Sequence, residues 1–345
     1  MDFTLTEAQT ELTELTRRIV GDRVTTASLQ AAEESGSRYD RALWAVLAET
    51  GLLDVDGLAE QCSVLTELGR GLAPVPYLPT VAVARPALAR FGSAGQRERW
   101  LTDAAVLTFA LSHPDVRQPA VAGQPGGGWR LSGEVIAVPA GPIADALLVE
   151  TVGGVFVVTP GDPGVTIERQ PSTDLDDAGL LVLNEVALPD DRRLDGDDVA
   201  EWLRLRAAVA RSAWQLGVLE AALEMTAEHA RTRQQFGRPI GAFQAVSQRL
   251  ANAYVDVRAA ELTLWAAIDA LESDDDPRAA VATAKFWAAE AGHRVAHTLV
   301  HVHGGTGIDV SHPAHRYFLA AKRSEFEGGG ATTQLLELGT VLSSD

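Results

Sequence analysis

Cysteine is almost absent from this chain, with Cys62 alone among 345 residues. A single cysteine excludes an intrachain disulfide and a cysteine-rich zinc site, and it fits a reducing compartment. Cationic residues are also scarce: 29 Lys and Arg face 47 Asp and Glu, for a formal net charge of −18. That balance argues against a nucleic-acid surface, which needs clustered cations in excess, but leaves room for a local basic pocket. No run of about 18 consecutive apolar residues occurs, so no membrane-spanning helix is expected. The N-terminus is amphipathic and acidic from its first residues and does not read as a signal peptide. The expectation is a cytosolic, cytoplasmic protein without internal repeats or a low-complexity tail.

Hydrophobic residues make up 46% and charged residues 22%, ordinary values for a globular chain long enough for two or three domains. Helical spacing predicts helices over 5–20, 38–51, 58–72, 80–91 and 94–102. Thr6 is placed to cap the first at its N-terminus, and Gly51 to close the second. Three prolines in G-L-A-P-V-P-Y-L-P forbid helix there and predict an extended crossing. From Ala105 the texture changes to short β-rich runs separated by Gly, Pro and Asp, with Gly153-Gly154 as a hairpin turn and Gln124 to Gly128 as a loop. Such a segment predicts a compact antiparallel barrel or sandwich. From Asp197 the helical period returns. One stripe holds Val209, Ala213, Leu216, Leu219 and Leu223. A second runs from Val246 to Leu271 and a third from Val281 to Val302, so three long antiparallel helices form a bundle. Asp276 and Pro277 open the third helix. The reading is an α+β, mostly helical chain: an N-terminal helical domain (1–104), a small antiparallel β-domain (105–195) and a C-terminal helical bundle (196–345).

Between the first two bundle helices, Gly237, Pro239 and Gly241 break the pattern in a turn rich in arginine and glutamine. Read by itself, this is a charged, solvated connection. The whole string, R-x-Q-F-G-x-P-I at Arg233 to Ile240 followed by F-Q-x-V at Phe243 to Val246, resembles the flavin-contacting segment of the acyl-CoA dehydrogenase family. H-V-H-G-G-T-G at His301 to Gly307 is similar to a second family segment, although glycines there also serve to cap a helix. M-D-F-x-L-T-E-x-Q, L-A-x-x-G-L-L at Leu47 to Leu53, and E-L-G-R-G-L-A at Glu67 to Ala73 extend the resemblance along nearly the whole chain.

The resemblance implies the family's helical, β and helical-bundle fold and its reaction, in which a carboxylate base takes the α-proton of an acyl-CoA thioester and a hydride passes to FAD. It implies that Arg233 holds the flavin pyrophosphate, that Gln244 sits by the adenine half, and that Gln235 and Phe236 lie beside them, reaching across a subunit interface. His301, Val302, His303, Gly304 and Gly305 would supply the second flavin segment, with His301 in place of the usual glutamine. Around the flavin ring the pattern departs. L-S-H-P at Leu111 to Pro114 keeps only part of its motif, Ala137 stands where an indole covers the ring, and Pro139 stands where a hydroxyl donates. The two usual base positions fall on Gly328 and Ala207, neither able to accept a proton, so no catalytic residue is assigned. Glu327 and Glu325 are the fallback carboxylates, with Asp309 nearby. The family's P-E-x-x-G-G loop is missing after Leu53.

An ADP-side half without a ring-side half or a base is similar to the shorter subunit of actinobacterial heterotetrameric acyl-CoA dehydrogenases that act on steroid side chains. The ending E-F-x-x-G-G-A-T-x-Q-L at Glu325 to Leu335 and the G-I-D of Gly307 to Asp309 carry that resemblance. It implies a longer acyl-CoA dehydrogenase subunit as partner and an external acceptor such as an electron-transfer flavoprotein. Two alternatives stand beside it: a self-sufficient homo-oligomeric enzyme using Glu327 or Glu325, and a flavin-free scaffolding subunit. His293, His297 and His301 share a helix face but lack a cysteine or carboxylate pair, so no metal is expected. His312 and His315 are read as positioning residues next to Arg316, and Trp202, Trp214, Trp265 and Trp287 as core.

Overall fold

A computed structural model describes residues 4–102, 105–112, 119–124, 127–174, 176–273 and 275–343. Helices α1 (Glu7–Arg23), α2 (Thr26–Glu34), α3 (Arg41–Glu49), α4 (Leu58–Arg70), α5 (Arg85–Phe91) and α6 (Ala94–Trp100) come first. Strands β1 (Leu107–Ala110), β2 (Ala120–Gln124), β3 (Gly128–Pro139), β4 (Ala146–Thr151), β5 (Gly154–Val158), β6 (Val165–Gln170) and β7 (Ala178–Leu188) follow. Then come α7 (Val199–Thr232), the two-residue strands β8 (Gln234–Gln235) and β9 (Arg238–Pro239), α8 (Gln244–Glu272), α9 (Arg278–His303), α10 (Ala314–Phe326) and α11 (Ala331–Leu342). The chain divides into two compact units, one of Met1–Ser28, Gly57–Ala73 and Ala208–Asp345, the other of Leu29–Asp56 and Pro74–Ala207.

The helical unit is built on α7, α8 and α9 with α1, α4, α10 and α11. Thr6 caps α1 in a reciprocal box with Gln9: the Gln9 N–H donates to Thr6 Oγ1 at 3.2 Å, and the Thr6 N–H donates to Gln9 Oε1 at 2.9 Å. All seven residues of the third stripe, from Val281 to Val302, are buried on α9. On α8 the stripe is buried from Ala253 to Ala267 and only partly covered at Val246, Leu250 and Leu271. Glycines let α4 and α7 cross in close contact. A Cβ on Gly217 would stand 1.8 Å from the Thr66 carbonyl oxygen, and one on Gly69 would stand 2.1 Å from that of Trp214. Arg70 locks the crossing with Glu220 at 2.5 Å and Glu224 at 2.7 Å.

In the other unit the core lies among the strands, where Leu131, Val135, Leu147, Phe156, Leu181 and Val186 pack together, all buried. The strands form a four-stranded antiparallel sheet in the order β2-β3-β7-β6 and a three-stranded sheet in the order β1-β4-β5. The β-domain is thus not wholly antiparallel, because β1 runs parallel to β4. The hairpin loop between β4 and β5 is Val152-Gly153, one residue earlier than the glycine pair suggests, since Thr151 already pairs with Gly154. Register breaks in the β3-β7 ladder fall between Leu131 and Gly133 and between Val135 and Val138. The second is a bulge that places Ala137 in the left-handed region at φ 54°.

The helix expected over 80–91 is two segments. Leu78–Ala84 winds as a π-helix before α5 begins at Arg85. Pro86 has no N–H to give the Ala82 carbonyl in α-helical register, and the Arg206 Nε donates to that oxygen at 2.5 Å. Helix α2 was not expected from the sequence. Pro277 precedes the first turn of α9, and Asp276 accepts from the Arg278 N–H at 3.0 Å. Trp202, Trp214, Trp265 and Trp287 are half-buried rather than core. Trp202, for instance, lies edge-on to Phe91 at 5.6 Å.

Candidate functional site

The arginine turn closes α7 with a tight hairpin. Gln235 pairs with Arg238 across Phe236 at φ 51° and Gly237 at φ 76°, so both turn residues are left-handed, as a two-residue hairpin of this hand requires. The Arg233 backbone anchors it at both ends: its N–H donates to the His229 carbonyl and its carbonyl accepts from Ile240, each at 2.9 Å. Its guanidinium is exposed and makes no ion pair among the described residues. Gln235, Phe236 and Gln244 are exposed too, Phe236 to 91%. Phe243 meets the Phe236 ring edge-on at 6.0 Å and carries the Arg238 guanidinium 4.2 Å above its own face. Immediately after it, Gln244 opens α8 with no side-chain cap. The first-turn N–H groups therefore present the positive end of a long helix beside Arg233.

The structure brings the second glycine segment to the same place. His303, the last residue of α9, stacks on His229 of α7 at 4.3 Å with an interplanar angle of 24°. His229 stands one turn before Arg233. The His312 ring lies 5.3 Å from that of His303, tilted by 55°. Burial and the nearby Arg233 and His312 hold His229 below the ordinary histidine value. Burial also lowers His303, outweighing the hydrogen bond from its Nδ1 to the Leu299 carbonyl at 2.8 Å. Val302 is buried, whereas His301, Gly304 and Gly305 are exposed. Gly304 caps α9 at φ 63° and ψ −136°, a conformation reserved for glycine, so the capping reading holds. Nothing lies within 4 Å of a Cβ added at Gly304 or Gly305, so the backbone is also open to close approach by a ligand.

Of the two expected base positions, Gly328 faces a cation. Gly328 is left-handed at φ 75°, and a Cβ there would stand 2.8 Å from Nη1 of Arg211. Arg211 sits one turn after the buried Ala207 on α7. Glu327 is engaged by Arg211 Nε at 3.3 Å and by Arg323 Nη2 at 3.7 Å. Glu325 is buried, 2.5 Å from Lys322 Nζ and 3.3 Å from His293 Nδ1. Beneath them Lys285 donates to the Ser324 and Glu325 carbonyls at 3.1 and 3.4 Å, closing the last turn of α10. Complete burial, with Arg211 next, pushes its ammonium down to about 7. Both fallback carboxylates thus have cationic partners in place. Asp309 is fully exposed and accepts from Ser311. Arg211, Lys285 and His229 escaped the sequence reading, since no motif marks them and they meet their partners only through the fold.

On the β-domain, Ala137 is exposed on its bulge, its N–H donating to Gln170 Oε1 at 2.6 Å. Pro139 is buried, and its carbonyl accepts from the Thr108 hydroxyl. Ser112 donates its N–H to Glu150 at 2.9 Å, while His113 and Pro114 lie outside the described residues. His293 and His297 are in ring contact at 4.5 Å. No group of three metal-ligating side chains occurs among the described residues, and none of their helices is long and apolar enough to cross a membrane.

The sequence matches the family model for the acyl-CoA dehydrogenase N-terminal domain over residues 6–106 and that for the C-terminal domain over residues 196–342. It is 48% identical to acyl-CoA dehydrogenase FadE27 of Mycobacterium tuberculosis, covering 99% of each chain. The chain belongs to the acyl-CoA dehydrogenase family. A chain of the ChsE4-ChsE5 complex from Mycobacterium tuberculosis superposes with a TM-score of 0.95 at 46% identity, covering 100% of both chains. A chain of the Tcur3481-Tcur3483 steroid ACAD gives 0.92 at 39%, covering 99% of both. As an acyl-CoA dehydrogenase, the protein is an oxidoreductase by family.

Proposed function

We propose that this chain is the base-lacking subunit of a flavin-dependent acyl-CoA dehydrogenase, contributing the ADP-side half of an FAD site shared with a longer subunit that supplies the glutamate. The observation that carries this reading is a contrast within one helix. One end of α7 presents a free guanidinium at Arg233, and Arg211 farther back fills the space where a base on Gly328 would stand. FAD supplies the hydride acceptor when bound, and this chain's residues serve to hold and orient it. The Arg233 fork fits a diphosphate, the start of α8 at Gln244 adds the positive end of a helix, and the backbone at His303 to Gly305 offers close approach. The ring end does not fit: a large side chain at position 137 would be strained in the left-handed region, and Pro139 has no N–H to donate.

The matched complexes, ChsE4-ChsE5 and Tcur3481-Tcur3483, each pair two differently named chains, and the second is a steroid ACAD. These names support an acyl-CoA thioester of a steroid side chain as substrate and a longer acyl-CoA dehydrogenase subunit as partner. We further propose an electron-transfer flavoprotein as acceptor, a cytoplasmic location, and functional domains at 1–104, 105–195 and 196–345. A self-sufficient enzyme using Glu327 or Glu325 is disfavoured by the cations that engage both.

The deciding measurement is flavin content per chain, by visible absorbance. A colourless protein that gains FAD only with a longer acyl-CoA dehydrogenase subunit supports the shared site. Near-stoichiometric flavin in the isolated chain overturns it in favour of the self-sufficient enzyme, and a complex that never gains flavin favours the scaffold.

A further inference from the structure

Resting on the reading of Arg233 as a diphosphate ligand, a second question concerns what lies under that guanidinium. Three imidazoles are gathered there from separate elements: His229 from α7, His303 from the end of α9, and His312 from the segment before α10. His229 and His303 are stacked at 4.3 Å, and His303 and His312 are in ring contact at 5.3 Å. Stacked imidazoles cannot both carry charge cheaply, so the pair titrates as a unit that holds at most one proton. Its surroundings favour none. Arg233 directly follows α7, one turn beyond His229, and within α7 the nearby Glu228 is already paired with Arg231 at 2.7 Å. The charged group of the hairpin, Arg238, lies over Phe243. His301 of α9 is exposed. On the α10 side His315 gives its Nδ1 hydrogen to the His312 carbonyl at 2.7 Å, and His312 Nδ1 accepts from the Ala314 N–H at 3.2 Å. Asp309 accepts from Ser311 and faces His312 and His315 electrostatically, not the stacked pair. The stacked pair His229 and His303 therefore has Arg233 and His312 beside it and no carboxylate partner of its own among the described residues.

We propose that the stacked pair His229 and His303 forms, with Arg233, a proton-linked diphosphate subsite, in which a bound diphosphate draws one proton from solvent onto the pair. The Nδ1 of His303 already gives its hydrogen to the Leu299 carbonyl, which leaves Nε2 as the nitrogen that gains the proton on that ring. On His229, neither ring nitrogen hydrogen-bonds to a described residue. The balance is simple: one proton is taken from solvent, one N–H bond forms, and no group leaves. The sign follows from the charges. The free pair is neutral at neutral pH, the anion stabilises the imidazolium, and affinity falls as pH rises.

The test uses the full-length wild-type chain and ADP-ribose, whose diphosphate is a diester with no proton to exchange near neutrality. Calorimetric titrations in two buffers of different ionisation enthalpy count the protons. The expected result is an uptake of up to about one proton per ADP-ribose near neutral pH, with binding about tenfold tighter at pH 6 than at pH 8. His229→Gln retains binding at the higher pH and loses most of the pH dependence. Proton NMR of the wild-type histidines shows the His229 and His303 ring resonances titrating at higher pH when ADP-ribose is present, an independent readout should the variant not fold. Binding that Arg233→Ala removes but that carries no proton uptake overturns the subsite and leaves the proposed function standing. Absence of binding up to millimolar ligand also overturns the subsite, while the flavin content of complexes carrying Arg233→Ala decides the function separately.

Discussion

The guanidinium of Arg211 lies 2.8 Å from where a Cβ on Gly328 would stand. Two residues from distant parts of the sequence thereby share one place, and on the proposed function a glycine facing a cation stands at the expected base position. Arg211 is in turn engaged by Glu327 and lies close enough to Lys285 to help keep its ammonium depressed.

For that reason Gly328→Glu will not confer dehydrogenase activity on this chain. The new side chain meets Arg211 and must adopt a left-handed backbone, a cost of about 1–3 kcal/mol. Calorimetry on the variant should show a lower Tm, and assays with acyl-CoA substrates should stay at background. A gain of turnover would show that the slot is open to a base after all.

Arg233→Ala should lower FAD affinity of the complex about tenfold to a hundredfold, the size expected for losing charge-assisted hydrogen bonds. The exposed side chain packs little, so circular dichroism and Tm should match wild type. Arg233→Lys recovers part of the affinity because it restores the charge without the planar fork.

Gly217→Ala should be among the most damaging single-methyl additions in the helical unit. The added carbon lands 1.8 Å from the Thr66 carbonyl, a backbone atom that cannot turn aside. Forcing α4 and α7 apart costs about 1–3 kcal/mol or more, readable as a shift in the urea midpoint. By contrast Gly95→Ala, where nothing lies within 4 Å, should be neutral or slightly stabilising.

Lys285 gives the protein a stability that depends on pH in the alkaline direction. Its ammonium is depressed to about 7 in the folded chain from an ordinary 10.5, so the unfolded chain binds more protons between those values. Stability from this group is greatest above the unfolded value, declines as pH falls towards the folded one, and is constant below it. Unfolding free energies of wild type and Lys285→Met should therefore diverge in slope by up to about 1.4 kcal/mol per pH unit between about pH 7 and pH 9. Equal slopes would mean that the lysine is already neutral in both states or charged in both.

Most of the helical architecture was legible in the chain because helix periodicity is local. The burial of every α9 stripe position and the Thr6 cap with Gln9 depend on residues a few positions apart. The parallel pairing of β1 with β4 was not legible, since short apolar runs carry no sign of strand direction. Nor was the bulge at Ala137. Site residues divide the same way. Arg233, Gln244 and Gly304, the candidate flavin contacts, sit in motifs whose spacing is read directly from the sequence. His229 and Arg211 sit in an unbroken helical pattern, and only the packing of α7 against α9 and the turn after α10 gives them neighbours to act on.

The contact between Arg206 and the Ala82 carbonyl has a bearing on how the chain is made. Leu78–Ala84 leaves the ribosome long before its donor exists, because Arg206 is 124 residues further along. Until α7 is synthesised, the proline-interrupted turn has no guanidinium to hold it, so that stretch should finish folding late, after the strands between the two. A nascent chain stalled before α7 is then the form in which this stretch would be most open to a chaperone or a protease.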